Sequence, residues 1–595
     1  MMKAKDQIRV PCCLLLSWSV LCVVFLSVDA QDEGEKFVKR CEENVKNVAL
    51  SASMNDGNCD LLNNCKSECS RVVCSPLNAD LQSSLCVRVE VNDICPPTET
   101  NQSCNLYMKV NYQRSYVLLA PPASSQQLLP GMTRDICLQR NLDGLFKSIS
   151  PNTSYTSTFF GSMSGVFRSF PGREEPPDKC ITFETRRRPW FKGGISVQKH
   201  LKLIVDTGNS MGNAVPPDYP LASGKTFLEV TSKIILKLFK TVSPDDLISV
   251  GSFNSSGYYQ LGSQVQISNA YDESEESNEL AGLENIVKTN LIRSLPGSPS
   301  NLTAAILSAV QAFNDTPRDT LKVIIIFTDG QFAALDATIF PSAQLLALRI
   351  KIFIFKLPRN SDLDTFLRNT TLPDVLCSVH GTFEVLEPYS TSNPLLAIRS
   401  FYTFLATTHL AVAKNQSTWS SIYPSFSQRS NGTTVTYPAF GSDGRLIGVA
   451  GIDVFPDQLE GSLRDLVYKA LGSRSAKGNL PAPFESVNLV CDYQTAMRSE
   501  QQPCNNATSV ANGGICQVED TGTPLKQRVC CSGCGGTTDG VNNGKHWVVV
   551  LASVLGVVGA VAIGLALCCC CVSCKTGDEQ NTDIPKNPFD QNSSW

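Results

Sequence analysis

Leu201-Lys202-Leu203-Ile204-Val205-Asp206-Thr207-Gly208-Asn209-Ser210 is an apolar run that stops on a carboxylate and continues into small and hydroxyl-bearing residues. It reads as a buried strand followed by a tight turn. Downstream, Phe227, Val230, Ile234, Ile235, Leu238 and Phe239 recur at three- and four-residue spacing and predict a helix. A strand is predicted at Leu247 to Phe253, a helix at Leu302 to Phe313, a strand at Val323 to Phe327, a helix at Ser342 to Ala347 and a strand at Ile350 to Leu357. Continuous apolar strands separated by helices imply an α/β fold, a doubly wound and mainly parallel sheet. In such sheets ligands bind beyond the carboxyl ends of the strands. Those ends carry Asp206 to Ser210 and Phe327-Thr328-Asp329-Gly330. Two carboxylates and a hydroxyl on one rim form an oxygen site suited to magnesium or calcium. The same residues also suit capping of the helix that follows.

The chain around this sheet has 595 residues and 25 cysteines, a length that predicts several domains. Its 42% hydrophobic and 18% charged residues suit folded material, and a net charge of −4 gives no basic field for nucleic acid. Lys3, Lys5 and Arg9 precede an apolar run from Pro11 to Val28, and Val28-Asp29-Ala30 suits signal cleavage after Ala30. An uncleaved anchor helix is the other reading of that run. The uncharged run from Trp547 to Val572 is long enough to cross a bilayer. Together these predict a single-pass type I protein of the plasma membrane with an extracellular ectodomain. Sequons at Asn101, Asn152, Asn254, Asn301, Asn314, Asn369, Asn415, Asn431 and Asn506 agree with that orientation.

Three cysteines fall in the signal, five at the inner membrane boundary and 17 in the ectodomain. The five, Cys568 to Cys571 and Cys574, are palmitoylation candidates or apolar filler at a helix end. Ten of the ectodomain cysteines lie from Cys41 to Cys180 and six from Cys491 to Cys534, leaving Cys377 alone between the clusters. Secretion makes disulfides the default, and an odd count leaves one thiol free or paired outside the chain. Zinc at Cys530, Cys531 and Cys534 lacks a histidine or second pair at ligand spacing. None of His200, His380, His409 and His546 sits in a catalytic motif, so no enzyme is expected. The acidic stretch from Asp272 to Glu284 reads as a solvated surface loop.

The sheet motifs resemble a von Willebrand factor A domain, whose metal-ion-dependent adhesion site has the pattern D-x-S-x-S, then a Thr, then an Asp in T-D-G. Asp206, Ser210 and Asp329 match it residue by residue, and Ser300 stands where the Thr would be. Gly208 removes one hydroxyl ligand, which implies a weaker site, and Asn301 places a sequon beside it. Before the sheet, Phe159-Phe160-Gly161-Ser162 and Arg186-Arg187-Arg188-Pro189-Trp190-Phe191 resemble the auxiliary alpha-2/delta subunits of voltage-gated calcium channels, in which an adhesion domain is inserted into an α+β Cache domain. Trp419 to Tyr423 and Leu446 to Val454 resemble the second half of that domain. Such subunits are typically nearly twice as long.

The resemblance implies a pore subunit of a calcium channel, or another membrane-protein or matrix partner, engaged through the metal. It also implies a site for a free amino acid at Arg188, Trp190, Tyr423 and Asp453, with Phe183 replacing a family tyrosine. There a guanidinium would clamp an α-carboxylate and Asp453 the ammonium, while the aromatic rings wall the pocket. Arg188 and Asp453 as a buried pair, and Arg186 to Arg188 as a solvated basic patch, are the structural readings of the same residues. Cys377 matches a family cysteine that ties the adhesion domain to the membrane-proximal polypeptide, here one of Cys491 to Cys534. Asn587-Pro588-Phe589 resembles a short endocytic-adaptor ligand in an otherwise unstructured tail.

The expected organisation is a signal peptide at 1–30, a cysteine-rich region at 31–150 and the first part of the Cache domain at 151–198. The A-type domain follows at 199–400 and the second part of the Cache domain at 401–480. A cysteine-rich segment at 481–545, a transmembrane helix at 546–573 and a cytoplasmic tail at 574–595 complete it.

Overall fold

The computed structural model describes residues 13–56, 86–89, 108–111, 115–120, 131–149, 156–173, 183–216, 224–267, 278–291, 299–314, 320–333, 338–357, 381–386, 392–420, 431–441, 444–459, 461–474, 516–519 and 527–530, with isolated positions between them. In chain order, helix α1 (Cys13–Asp56), strand β1 (Tyr116–Leu119), helices α2 (Met132–Arg140) and α3 (Asp143–Ile149), strands β2 (Thr156–Ser162) and β3 (Val166–Phe170), and the short helix α4 (Pro189–Ile195) precede the sheet predicted from Leu201. That sheet contains β4 (Lys199–Asp206), β5 (Leu247–Asn254), β6 (Gly257–Gln266), β7 (Leu321–Thr328), β8 (Ile350–Lys356) and β9 (Thr382–Val385). Its helices are α5 (Phe227–Phe239), α6 (Asn278–Asn290), α7 (Leu302–Gln311) and α8 (Ser342–Ala347).

The strand order is β9-β8-β7-β4-β5-β6, with every pair parallel except the β5–β6 hairpin at one edge. This is the doubly wound, mainly parallel α/β sheet expected from the sequence. Alternate residues of β4 explain the two covered faces. Leu201, Leu203 and Val205 join the core packed by α5 and α6, while Ile204 joins Ile306 and Val310 of α7 on the other side. The acidic stretch is corrected in part: residues 278–290 form a helix and not a loop. Leu280, Leu283 and Val287 are buried on one of its faces, and Glu284 is held by Lys240 at 2.7 Å and Lys288 at 3.3 Å. Seven-residue spacing of apolar side chains outweighs the local charge.

After the sheet, helix α9 (Arg399–Val412) leads into β10 (Thr418–Trp419), β11 (Tyr423–Pro424), β12 (Asn431–Phe440), β13 (Leu446–Val454) and helix α10 (Gly461–Arg474). These strands return to the ones that preceded the parallel sheet. The order is β10-β12-β13-β2-β3-β1, with β11 also on β12, and the pairings are antiparallel. The parallel sheet is thus an insertion between two halves of an antiparallel one. One face of the antiparallel sheet, with Phe160, Ala450 and Ile452, is covered by α1. The opposite face, with Phe159 and Val449, belongs to the same hydrophobic core as Leu201 and Leu203. Close packing there explains the glycines: a Cβ on Gly161 would lie 2.5 Å from the Trp190 ring, and one on Gly451 would collide with Phe159.

Helix α1 runs unbroken through Ala30, the expected cleavage position. Among the described residues, no helix is long and apolar enough to cross a membrane; the span expected at 546–573 and Cys377 lie outside them. Cys41 is a buried free thiol on α1 whose pKa is pushed up to about 12, chiefly by burial.

Candidate functional site at the sheet rim

Asp206 is the last residue of β4 and is fully buried. Backbone geometry brings three other loops to it. Asn254, at the end of β5, accepts a hydrogen bond from the Asn301 backbone at 2.9 Å, fixing the loop before α7. Ser300 in that loop is bonded through its own backbone to Gln331 and Ala333, at 3.2 and 2.8 Å, beyond the end of β7. Leu295 donates to the Thr207 carbonyl at 2.7 Å. Three segments distant in sequence are tied together by main-chain bonds before any side chain is counted.

The side chains then converge. Asp206 Oδ1 accepts from the Ser300 hydroxyl at 2.6 Å and from the Gly208 backbone N–H at 2.9 Å. Its Oδ2 accepts from the Thr328 hydroxyl at 2.8 Å. Asp329, 1% exposed, lies next to Thr328 and accepts from the Gln331 backbone at 3.1 Å. Ser210 sits half-buried in the 3-10 turn Asn209–Gly212 that follows. Burial pushes the Asp206 carboxyl up to about 6 despite its three donors, and the charge of Asp329 adds to the rise.

Two carboxylates and the hydroxyls of Ser300 and Thr328 form an all-oxygen cluster, with Ser210 on the turn that follows, and Asp206 is held by neutral donors. A hard divalent cation fits that chemistry. Thr328 was visible in the sequence only as part of T-D-G; its hydroxyl is what orients Asp206. A hydroxyl one residue beyond the apolar core of a strand, next to an aspartate, is the signal that marks it.

Among the predicted glycan acceptors, Asn254 is corrected. It is 4% exposed, and its side-chain oxygen accepts from the Ser256 backbone at 2.8 Å to close the β5–β6 turn. A glycan has no room on it. Asn301, Asn314 and Asn415 are exposed, and Asn301 also caps α7 by accepting from the Ala304 backbone at 3.0 Å. The side chain of Asn431 and the whole of Asn101, Asn152, Asn369 and Asn506 lie outside the described residues.

The residues expected to bind an amino acid gather around α4 and the antiparallel sheet. Trp190 is 4% exposed, with its ring centroid 4.6 Å from Phe159, 5.9 Å from Phe167 and 5.7 Å from Phe191. It fills the core between the sheets. The Arg188 guanidinium lies 4.1 Å over the ring of Phe183, so the residue that replaces a tyrosine serves as its stacking partner. Asp453 accepts from Thr434 at 2.6 Å and Ser157 at 3.3 Å, its neighbours across the strands on either side. The side chain of Tyr423 is outside the described residues.

Of the three consecutive arginines, Arg186 has a role the sequence did not single out. It is 3% exposed and makes a two-pronged bond to Glu184, at 2.6 and 2.7 Å. Its remaining nitrogen donates to the Met163 carbonyl at 2.9 Å and to Asn393 Oδ1 at 2.6 Å. Asn393 in turn donates to the Ser164 carbonyl at 2.9 Å. Arg186 precedes the inserted sheet and Asn393 follows it, so this buried network locks the points where the chain enters and leaves. His409 repeats the device, with Nδ1 at 3.0 Å from the Ser196 carbonyl and Nε2 at 2.7 Å from the Thr418 hydroxyl.

Parts of the chain are similar to known proteins. The alpha-2/delta-2 subunit of a voltage-dependent calcium channel from Homo sapiens is 25% identical over 228 residues, covering 38% of this chain and 18% of that protein. The alpha-2/delta-3 subunit from Rattus norvegicus is 21% identical over 341 residues, 55% of this chain and 29% of that protein. The chain is similar to calcium-channel alpha-2/delta subunits. This alpha-2/delta-like chain therefore matches less than a third of the length of those relatives. No family model matches it. Solved structures similar to it include a von Willebrand factor type A protein from Catenulispora acidiphila, 13% identical over 43% of this chain and 57% of that one, with a TM-score of 0.26. Another is the proximal thread matrix protein 1 of the mussel byssus with a zinc-occupied MIDAS motif, 11% identical over 34% of this chain and 47% of that one, TM-score 0.23.

Proposed function

We propose that this protein is a single-pass cell-surface binding protein, an alpha-2/delta-like auxiliary subunit whose inserted A-type sheet holds a divalent cation at Asp206, Ser210, Ser300 and Asp329. The antiparallel sheet that receives the insertion is read as a Cache domain. A carboxylate of the partner, a calcium-channel pore subunit, completes the coordination of the cation, and the protein itself performs no catalysis. The observation that carries this reading is the buried Asp206 carboxylate, held by neutral donors beside a second aspartate at the rim where such sheets bind ligands. Magnesium and calcium both suit the donor set. Gly208 offers a backbone N–H and no hydroxyl, which lowers the ligand count.

The amino-acid reading has no equivalent observation behind it, because Trp190 is packed among phenylalanines and Asp453 accepts from two hydroxyls of its own sheet. The test is co-purification of the full chain with a co-expressed channel pore subunit. Association is expected in millimolar calcium or magnesium, and is lost in EDTA and in Asp206→Ala. Association that survives both treatments, in a variant that still reaches the surface, would sink the metal-bridged reading. Divalent-dependent binding to cells that lack the channel would redirect it to adhesion.

A further inference from the structure

Between the C-terminal end of α1, helix α2 and the antiparallel sheet lies a cavity of about 20 Å³, on a different set of elements from the Asp206 rim. That volume holds one or two water-sized bodies. Its polar lining is Asp56, Asp135, Gln139 and Ser162, against the apolar walls of Leu142 and Phe160. Gln139 is 4% exposed, yet neither its amide oxygen nor its amide nitrogen has a hydrogen-bond partner. A buried primary amide with both ends unsatisfied is costly and points to something that fills the space beside it.

The charge around that space is negative. Asp56 is paired with Arg134 at 2.7 Å, and Asp135 accepts from the Ser164 hydroxyl at 2.5 Å and interacts with Ser162 and the same Arg134, so two carboxylates share one cation. Burial raises the Asp135 carboxyl above its ordinary value, outweighing the Arg134 charge and the Ser164 and Ser162 hydroxyls, and the charge of Asp56 adds a little to the rise. Asp56 is also the last residue of α1, whose terminal carbonyls bring the negative end of the helix dipole to the same place.

We propose that this cavity is a second cation site, in which one calcium ion is bound by carboxylate oxygens of Asp56 and Asp135 and the amide oxygen of Gln139, with water completing the shell. Calcium suits the mixture of carboxylate, amide and water oxygens better than magnesium, which demands stricter octahedral geometry. The ion would clamp the end of α1 to α2 and to the sheet at Ser162, joining the N-terminal helix to the body that carries the insertion.

The experiment uses the full chain carrying Asp206→Asn, which disables the rim site. Calcium chloride at millimolar concentration is expected to raise its Tm by several degrees over EDTA, and magnesium by much less. Adding Gln139→Met, or separately Asp135→Asn, abolishes the rise, each variant first being shown to melt cooperatively in EDTA. No calcium shift in Asp206→Asn means that the cavity holds water only and overturns the proposal. A shift that survives both added substitutions places the ion elsewhere and overturns it equally. Neither result bears on the rim site, which is judged by what Asp206 itself does to partner binding.

Discussion

Glu184 and Asp206 are both buried carboxylates, 8% and 0% exposed, and they behave in opposite ways. At Glu184, burial would raise the pKa, but the Arg186 guanidinium outweighs it and holds the carboxyl below its ordinary value. At Asp206, three neutral donors fall short and the carboxyl is pushed up to about 6. The difference is counter-charge. A carboxylate that carries its own cation is part of the frame. One held by hydroxyls and an N–H keeps its charge uncompensated and is suited to an external cation. The first lies where the insertion joins the antiparallel sheet, and the second at the rim of the parallel sheet.

Removing the internal cation tests this contrast most severely. Arg186→Met leaves Glu184 buried and unpaired and is expected to cost about 3–5 kcal/mol in denaturant unfolding. The double change with Glu184→Gln recovers most of that loss; a single variant as stable as the parent would show that the pair is not structural.

A smaller effect concerns pH. The folded Asp206 carboxyl titrates at about 6 and the unfolded one near 3.8, so between those values the folded state holds the proton more tightly. In metal-free buffer, the contribution of this one carboxyl to stability is therefore fully present below the unfolded value and is lost as pH rises to about 6, by about 3 kcal/mol. Asp206→Asn flattens this component, and saturating divalent cation offsets it above pH 6. An identical pH profile in parent and variant, both in EDTA, would remove the argument for an uncompensated charge.

The smallest effect is a gain. Gly208 has φ −57° and ψ 161°, a conformation open to serine, and its N–H already touches Asp206 Oδ1. Gly208→Ser restores a hydroxyl at the rim and is expected to tighten divalent binding by roughly tenfold in calorimetric titration. Unchanged affinity would mean that position 208 does not face the ion.

The parallel strands were legible because each is a continuous apolar run, and α5 because its apolar side chains repeat at helical spacing. Edge strand β6 was not, since residues 257–266 are half-buried or exposed and carry no continuous apolar signal. Helix α6 was hidden by the charges that precede Leu280. At the rim, Asp206 and Asp329 could be found from their positions after strands. Ser300 was reached only through resemblance, as it precedes a helix with nothing local to tell it from any N-terminal serine. Three adjacent arginines offered no clue that Arg186 alone would be fully enclosed.

By itself, the sequence determined the α/β alternation and the oxygen-rich strand ends, because these depend on periodicity and order along the chain; the interruption of one domain by another came from the family resemblance and is seen in the strand pairing. The tertiary structure decided which polar groups found partners. Burial multiplies the strength of a charge, and whether Glu184 meets Arg186, Asp206 meets Thr328 or Gln139 meets nothing depends on contacts between residues far apart in the chain.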